Sequence, residues 1–520
     1  MKFSKRTKFL FLCLLVLLNV IIRIPSFPHE SGCDSFMIHI LANSVSENGY
    51  AKWWINPLSI FGLYPYSECS AVPFALSGIN QCTGLEMEFV LWLFSVIMGL
   101  FSAFAAYILA GRIKDNDVFI FLVAFSYSLA PGILAFTTWN LSMRGPFMAL
   151  LPLFIYVLLK SRIFLFRCCI LTLIIFILLG SIHHLIYFTL PIILSFVVVS
   201  LLYNKIKITT NSVNIAFVIG FIGMFALPFF TGMLIEHSRY NQLHEMLENN
   251  VRYTGFLLLF TLGGFVYLSL KSEKSFGEWL LLAFLLCFAP LMWIRIYAFW
   301  FTTLFSCLLI GASLTNATNI IKINEKRKIA SVILIISLLL AVSFSGFYQH
   351  WRTHIGKATA GEWYMDEEMY AGALWIRDNI DKNKRMVGND DLGAKRMSAI
   401  SEVPTLVDAA DTVMFVYGFA DINNTPIVKN SPRSTSFYMD NPYVIPRNFT
   451  RVGYFRNSLQ HIDVDRGKSI ISRFNLSYAI ENQNIGKNEF IQSLYMKKNS
   501  IYDNGKFRVW SLEWSRGSIT

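Results

Sequence analysis

Acidic side chains are missing from long stretches of this chain. No Asp or Glu occurs from Val118 to Ile235, and Asp34 is the only Asp between Met1 and Asp115. Charged residues make up only 15% of the 520, too few to cover a soluble body of this size. No internal repeat is visible, which argues against a paired-repeat transporter. The polar C-terminal third has no Gly-rich phosphate loop, no nucleophile elbow and no metal-binding His pair, so it reads as a recognition or support module. Cysteine is sparse, and none of the eight has zinc-ligand spacing. Cys13, Cys168, Cys169, Cys287 and Cys307 lie in or beside apolar runs and serve as small apolar fillers. Cys33, Cys69 and Cys82 fall in one polar loop, where an oxidising exterior permits one disulfide and leaves the pairing open.

What the chain has instead is apolar surface. It is 54% hydrophobic and 15% aromatic, with a mean hydropathy of +0.49. Runs such as Phe9–Ile22, Phe89–Leu109 and Ile329–Ser343 mark a polytopic membrane protein. We place eleven spans near 9–28, 88–111, 118–136, 146–159, 168–182, 185–203, 213–235, 253–270, 277–291, 296–315 and 329–347. Lys and Arg then alternate between sides. The N-terminus (Lys2, Lys5, Arg6, Lys8) shares its side with Arg112, Lys114, Lys160, Arg162, Lys271, Lys274 and the run Lys326–Lys328. The short loops opposite hold only Lys52, Arg144, Arg239, Arg252 and Arg295. By the positive-inside rule the first set is cytoplasmic. The net charge of +12 is therefore mainly a topology signal and not a mark of nucleic-acid binding. The region from residue 350 is nearly balanced, with 22 basic and 19 acidic residues.

The expected organisation is a membrane domain over 1–347 and an external soluble α/β domain over 348–520, in the plasma membrane with the N-terminus inside. The first apolar run is expected to stay as an anchor, because Pro-Ser-Phe-Pro-His follows it where a cleavage site would need small residues. The first outer loop, 29–87, is long. It contains an expected short amphipathic helix over 35–46, the pair Trp53-Trp54, and Gly62-Leu-Tyr64-Pro65-Tyr66, an aromatic and Pro mixture suited to the headgroup level. The tail is expected to carry helices at 366–379 and 467–474 and strands at 385–388, 477–481 and 506–512. Sequons at Asn423, Asn448 and Asn475 agree with an external tail.

The unusual polar residues near membrane depth gather on the outer side. Asp34 follows the first span. Arg144 lies in Trp139-Asn-Leu-Ser-Met-Arg-Gly-Pro146, and His183-His184 lie between the fifth and sixth spans. Arg252 opens the eighth span, and Arg295 lies between the ninth and tenth. Ionisable groups there are costly unless paired or wetted, which makes them functional candidates. Arg clamps phosphate through forked hydrogen bonds, and a carboxylate can deprotonate an acceptor hydroxyl. Each also has a structural reading. The arginines can snorkel to headgroups, the His pair can finish a helix end, Asp34 can cap a helix starting at Ser35, and Tyr64 can anchor the interface.

These motifs resemble those of the GT-C glycosyltransferases, polytopic enzymes that use polyprenyl-phosphate-linked sugars and include oligosaccharyltransferase catalytic subunits and protein mannosyltransferases. Gly32-Cys-Asp34-Ser-Phe36 is similar to the family's outer-loop acidic motif. Trp54-Ile-Asn-Pro57 with Gly62-Leu-Tyr64-Pro65-Tyr66-Ser67 is similar to the donor-side loop of archaeal-type members. Arg144-Gly-Pro is similar to the second outer-turn motif, and the closing strand Phe507–Leu512 to part of the external domain. The resemblance implies a mainly α membrane protein with about eleven transmembrane helices of GT-C type and an external α/β domain. It implies an inverting sugar transfer on the outer face, with Asp34 as catalytic or metal-anchoring acid and Arg295 on the donor phosphate. Arg144, Arg252, His183, His184, Tyr64 and Glu68 join Arg295 as substrate-binding candidates. The partners implied are a polyprenyl-phosphate-linked sugar, membrane lipids and an acceptor that is a lipid, glycan or protein. The cofactor implied is a divalent cation, Mg or Mn. The chain departs from the pattern twice. The second acidic motif after the third span is missing, and Gly361-Glu-Trp363-Tyr-Met-Asp366 only faintly echoes the Trp-Trp-Asp acceptor motif. Those departures favour transfer of a sugar to a lipid, glycan or hydroxyl acceptor over transfer of a whole oligosaccharide to Asn. They also keep a non-catalytic scaffold, and beside it a transporter or lipid flippase, as alternatives.

Overall fold

The computed structural model describes residues 2–54, 57–63, 67–206, 211–231, 243–294, 297–323, 327–350, 364–406, 412–419, 470–485, 491–492, 494–495 and 500–512. The chain divides into two compact units. One comprises residues 1–24, 95–138 and 143–352; the other comprises 25–94, 139–142 and 353–520. The first outer loop thus shares a unit with the tail, and so do the four residues Trp139–Ser142.

The first unit is a helical bundle. Among the described residues six helices are long and apolar enough to cross a membrane, and a seventh if one bent pair counts as a single span. Ala298–Ile323 is its centre: 94% of its apolar window is buried, against 11% for Asn211–Phe230 and 17% for Ser331–Tyr348, which turn their apolar sides outward as lipid-facing helices do. Helix Leu259–Leu270 lies close against it, so close that a Cβ on Gly264 would stand 2.1 Å from the Leu309 carbonyl oxygen. At one end the amino-terminal segment is tied to the turn at 115–117. Lys2 pairs with Asp115, Lys8 Nζ lies 3.0 Å from Asp117, and the Phe3 N–H donates to Asp117 at 2.6 Å.

The spans differ from the sequence expectation where turn-forming residues interrupt them. The run at 118–136 splits, because helix Asp117–Ser128 ends before Pro131 restarts a single turn at Pro131–Leu134. The run at 253–270 bends by 118° between His244–Thr254 and Phe256–Leu270. Gly255 makes the break at φ +84°, a left-handed backbone that a side chain strains. The first helix is Lys5–Ile21 and stops short of residue 28.

Just beyond that stop lies Arg23, fully buried. Its Nε donates to Thr137 Oγ1 at 3.1 Å, and its Nη1 donates to the Asn19 carbonyl at 3.1 Å and to Asn19 Oδ1 at 2.7 Å. Its Nη2 donates to the Ser128 carbonyl and to Thr137 Oγ1, both at 2.9 Å. The guanidinium therefore ties the end of the first helix to the segment 128–137. Gly99 makes room for it, since a Cβ there would stand 2.0 Å from Arg23 Nε. Gly99→Ala is accordingly expected to cost ~1–3 kcal/mol by overpacking a side chain that cannot move without losing these bonds. A detergent melting curve that matches the parent chain's would show the approach to be looser than this.

The second unit is α/β. Its five-stranded sheet has the order β2-β1-β3-β5-β4, with β1 Met386–Gly388, β2 Thr405–Leu406, β3 Tyr478–Asn482, β4 Ser500–Asp503 and β5 Phe507–Ser511. β1 runs parallel to β2 and β3, and β5 is antiparallel to β3 and β4. Helix Asp391–Ser401 connects β1 to its parallel neighbour β2, as a parallel pair requires. The expected helix at 366–379 forms as Glu367–Asn379, with the Asp366 side chain capping it at the Met369 N–H. The sequons at Asn423 and Asn448 lie outside the described residues.

The first outer loop is more deeply built than its sequence suggests. The helix there is Cys33–Asn48, and it is not merely amphipathic: Phe36, Ile38, Ile40, Leu41 and Val45 are all buried. Trp53 is fully buried and donates to the Glu68 carbonyl at 3.0 Å, so it is a core residue and not a headgroup anchor. Trp54 is 42% exposed. Cys33, Cys69 and Cys82 are not joined to one another by a disulfide.

Candidate functional site

Asp34 occupies the first turn of helix Cys33–Asn48. Its carboxylate lies at the helix amino end, where the peptide dipoles favour negative charge. The chain reaches this position through Gly32 at φ +93°, where a Cβ would stand 2.0 Å from Asn140 Oδ1. Residues 139–142 close over the turn. The Ser31 N–H and hydroxyl both donate to the Trp139 carbonyl, at 3.0 and 3.1 Å. Ser142 Oγ donates to Asp34 Oδ2 at 2.9 Å. The Trp139 indole in turn donates to the Glu88 carbonyl at 3.1 Å. Asp34 is half-buried, so its carboxylate is oriented by Ser142 yet still reachable.

The same unit holds a cluster of His29, Glu88, Glu367 and Tyr370. His29 Nδ1 lies 3.4 Å from Glu88 Oε1, its Nε2 lies 3.4 Å from Glu367 Oε2, and its ring stacks on Tyr370 at 3.7 Å. Burial opposes the charged form of His29, but the Glu88 and Glu367 carboxylates outweigh it and hold its pKa above the ordinary imidazole value. The raised pKa fixes the sign of a pH effect. The contribution of His29 is complete below the ordinary pKa of about 6.5 and fades as pH rises through the raised one. This unit is therefore expected to melt higher at pH 6 than at pH 8. Exchanging His29 for Gln should flatten that difference, and parallel melting profiles for variant and parent would exclude His29 as the group responsible.

A second centre lies in the helical unit. Arg144 opens helix Arg144–Lys160, where the dipole disfavours a cation. Aromatic faces receive it: Cζ lies 5.0 Å from the Trp300 ring, 5.4 Å from Phe136 and 5.7 Å from Tyr297. The neighbouring His183 and His184 rings are 4.1 Å apart, and His184 lies 5.6 Å from Tyr297. His183 Nδ1 accepts the Leu185 N–H at 3.0 Å, which caps the next helical turn and leaves the ring proton on Nε2.

The structure thus brings Arg144, His183 and His184 together around Tyr297 and Trp300, and sets Asp34 beside Ser142. It places Arg252, itself exposed, in the last turn of helix Leu243–Thr254, whose final residues Tyr253 and Thr254 are buried. Glu68 contributes its carbonyl to Trp53 and is half-buried. Arg295 and Tyr64 lie outside the described residues. Sequence reading passed over Glu30, His39, Ser142, Asn140 and Arg23. Arg23 had a visible signal, a lone cation at the end of an apolar run.

Among the described residues no group of three or more His, Cys, Asp or Glu side chains is placed to hold a metal ion.

No family model matches the chain, and no curated protein matches it. Solved structures do. ArnT from Cupriavidus metallidurans bound to undecaprenyl phosphate aligns with a TM-score of 0.56 over 98% of this chain and 98% of its own, at 10% identity. The Archaeoglobus fulgidus oligosaccharyltransferase tethered with an acceptor peptide aligns with a TM-score of 0.54 over 92% of this chain and 69% of its own, at 14% identity. The arabinofuranosyltransferase AftD from Mycobacteria aligns with a TM-score of 0.53 over 99% of this chain and 42% of its own, at 12% identity. Identities this low speak to fold alone. The chain is a multi-pass membrane protein with the GT-C fold of these glycosyltransferases.

Proposed function

We propose that the protein is an inverting membrane glycosyltransferase that moves a sugar from a polyprenyl-phosphate carrier to an acceptor on the outer face of the membrane. The observation that carries this reading is the Asp34 carboxylate. It is fixed by Ser142 at a helix amino end, in a fold shared with a solved structure that aligns over 98% of both chains and holds undecaprenyl phosphate. In this reading the acceptor oxygen attacks the anomeric carbon as the bond to the carrier phosphate breaks. Asp34 takes the acceptor proton. The polyprenyl phosphate departs with the bonding electron pair, and cations meet its negative charge. Arg144 and Arg295 are the cations proposed for that role, with His183, His184, Arg252, Tyr64 and Glu68 contributing to the substrate sites. The aromatic faces around Arg144 orient its guanidinium before the phosphate arrives. No step runs through a metal.

The test is mass spectrometry of surface glycans and glycolipids from cells with and without the protein. Removal should erase one glycan or glycolipid feature and leave its lipid-linked sugar to accumulate. Unchanged surface profiles, or uptake of a radiolabelled substrate by proteoliposomes without transfer, would rule the reading out.

A further inference from the structure

Glu30 is fully buried in the unit that holds the first outer loop and the tail. Its Oε2 lies 2.6 Å from His39 Nδ1, and its backbone N–H donates to Glu88 Oε1 at 2.9 Å. Its Oε1 has no hydrogen-bond partner among the described residues. A carboxylate removed from water at this cost is a poor way to stabilise a fold and a good way to orient an imidazole. With Nδ1 engaged by Glu30, Nε2 of His39 is left for a further hydrogen bond.

His39 lines a cavity of about 770 Å³, within the roughly 300–1,000 Å³ of small-molecule sites. Asn43, one turn on from His39, lines it from the same helix, Cys33–Asn48. Ser44 is 4% exposed, and its hydroxyl is buried in the wall, out of reach of the cavity. The His39 imidazole thus presents its second ring nitrogen to the cavity. Tyr370 and Tyr417 add aromatic faces to its walls. The walls carry four cations (Lys52, Arg377, Lys382, Arg385) and four carboxylates (Glu47, Glu86, Glu88, Glu402), so their charges balance in number; Arg377 lies 3.9 Å from Glu86, and Lys382 pairs with Glu402. A phosphate site would keep its cations for the ligand. Neutral walls, hydroxyl and amide groups, and aromatic faces suit a sugar.

We propose that this cavity binds a hydroxyl-rich carbohydrate, which is the acceptor of the transfer, and that His39, oriented by Glu30, makes a hydrogen bond to a ligand hydroxyl. Only the acceptor role rests on the transferase reading; the binding stands apart from it. Asp34 keeps the proton-accepting task.

The experiment applies fluorescently labelled full-length protein in lipid nanodiscs to a printed array of glycans. The parent chain should capture a related subset of them. His39→Gln and Glu30→Gln should each weaken capture at least tenfold. Ser44→Ala changes a buried wall hydroxyl that makes no hydrogen bond among the described residues, should melt as the parent does, and should leave capture unchanged. Absence of capture by the parent chain overturns the proposal, and so does undiminished capture by His39→Gln. Loss of a surface glycan on removing the protein, with no capture on the array, sinks the cavity and leaves the transferase. Capture with no surface glycan altered sinks the transferase and leaves the cavity.

Discussion

Asp34→Asn is expected to fold as the parent chain does and to lose sugar transfer by a factor of about 10²–10⁴, the span of general-base catalysis. The substitution is nearly isosteric. An Asn Oδ1 still accepts the Ser142 hydroxyl that now lies 2.9 Å from Asp34 Oδ2, and the residue keeps its place in the first turn of helix Cys33–Asn48. What disappears is the negative charge and the capacity to take a proton. The measurement is product formation by membranes supplied with lipid-linked sugar, read by mass spectrometry and paired with a melting curve. Transfer retained at the parental rate would remove Asp34 from the reaction. Ser142→Ala separates orientation from chemistry. It deletes one hydrogen bond to the carboxylate and should cost much less than Asp34→Asn, since the base itself survives.

Gly145→Ala should give the largest loss of stability among the small-residue changes near Arg144. A Cβ at this position would stand 2.1 Å from the Phe136 carbonyl oxygen and 3.0 Å from its carbonyl carbon. Both atoms are backbone, so no rotamer change relieves the contact and the two segments must separate. The expected cost is about 1–3 kcal/mol, the range for overpacking a well-filled interior. The same displacement moves Arg144 relative to the Phe136 ring that its guanidinium faces at 5.4 Å. Misplacing a positioned group by about 1 Å can cost on the order of 10²-fold in rate, so transfer should fall more steeply than the folded fraction. Gly220→Ala is the control, because nothing lies within 4 Å of a Cβ there and helix Asn211–Phe230 has room for it. Equal melting temperatures for the two variants would refute the close approach at Gly145.

Much of the candidate site could be read one residue at a time. Arg144, His183 and His184 stand out as ionisable residues beside apolar runs, and in the fold they gather on Tyr297 and Trp300. Their aromatic partners did not stand out, because Tyr and Trp are common in this chain and nothing local marks the two that take a cation. Ser142 and Asn140 looked like flanking letters of the Arg144 motif. Their importance comes from meeting Asp34 and Gly32, over a hundred positions earlier. Glu30 and His39 were equally plain, two polar residues in a loop read as lying at the headgroup level. Only burial beside Glu88, with Tyr370 contributing to the same cavity wall, turns them into an oriented pair.

The sequence alone determined the solvent in which this protein lives. The length and spacing of its apolar runs depend on local composition, and the hydrophobic effect acts on composition directly. It also marked three of the five strands of the tail, near 385–388, 477–481 and 506–512, where alternation is local, but not β2 or β4, nor the breaks at Pro131 and Gly255. Tertiary structure decided which polar groups are dehydrated and what each one faces. Glu30, Arg23 and Asp34 are each a single charged letter in the sequence, but one is a buried carboxylate aimed at an imidazole, one a buried clamp and one a half-buried carboxylate held by a serine. The energy of a charge depends on its distance to partners and on the exclusion of water, and both are properties of segments far apart in the chain.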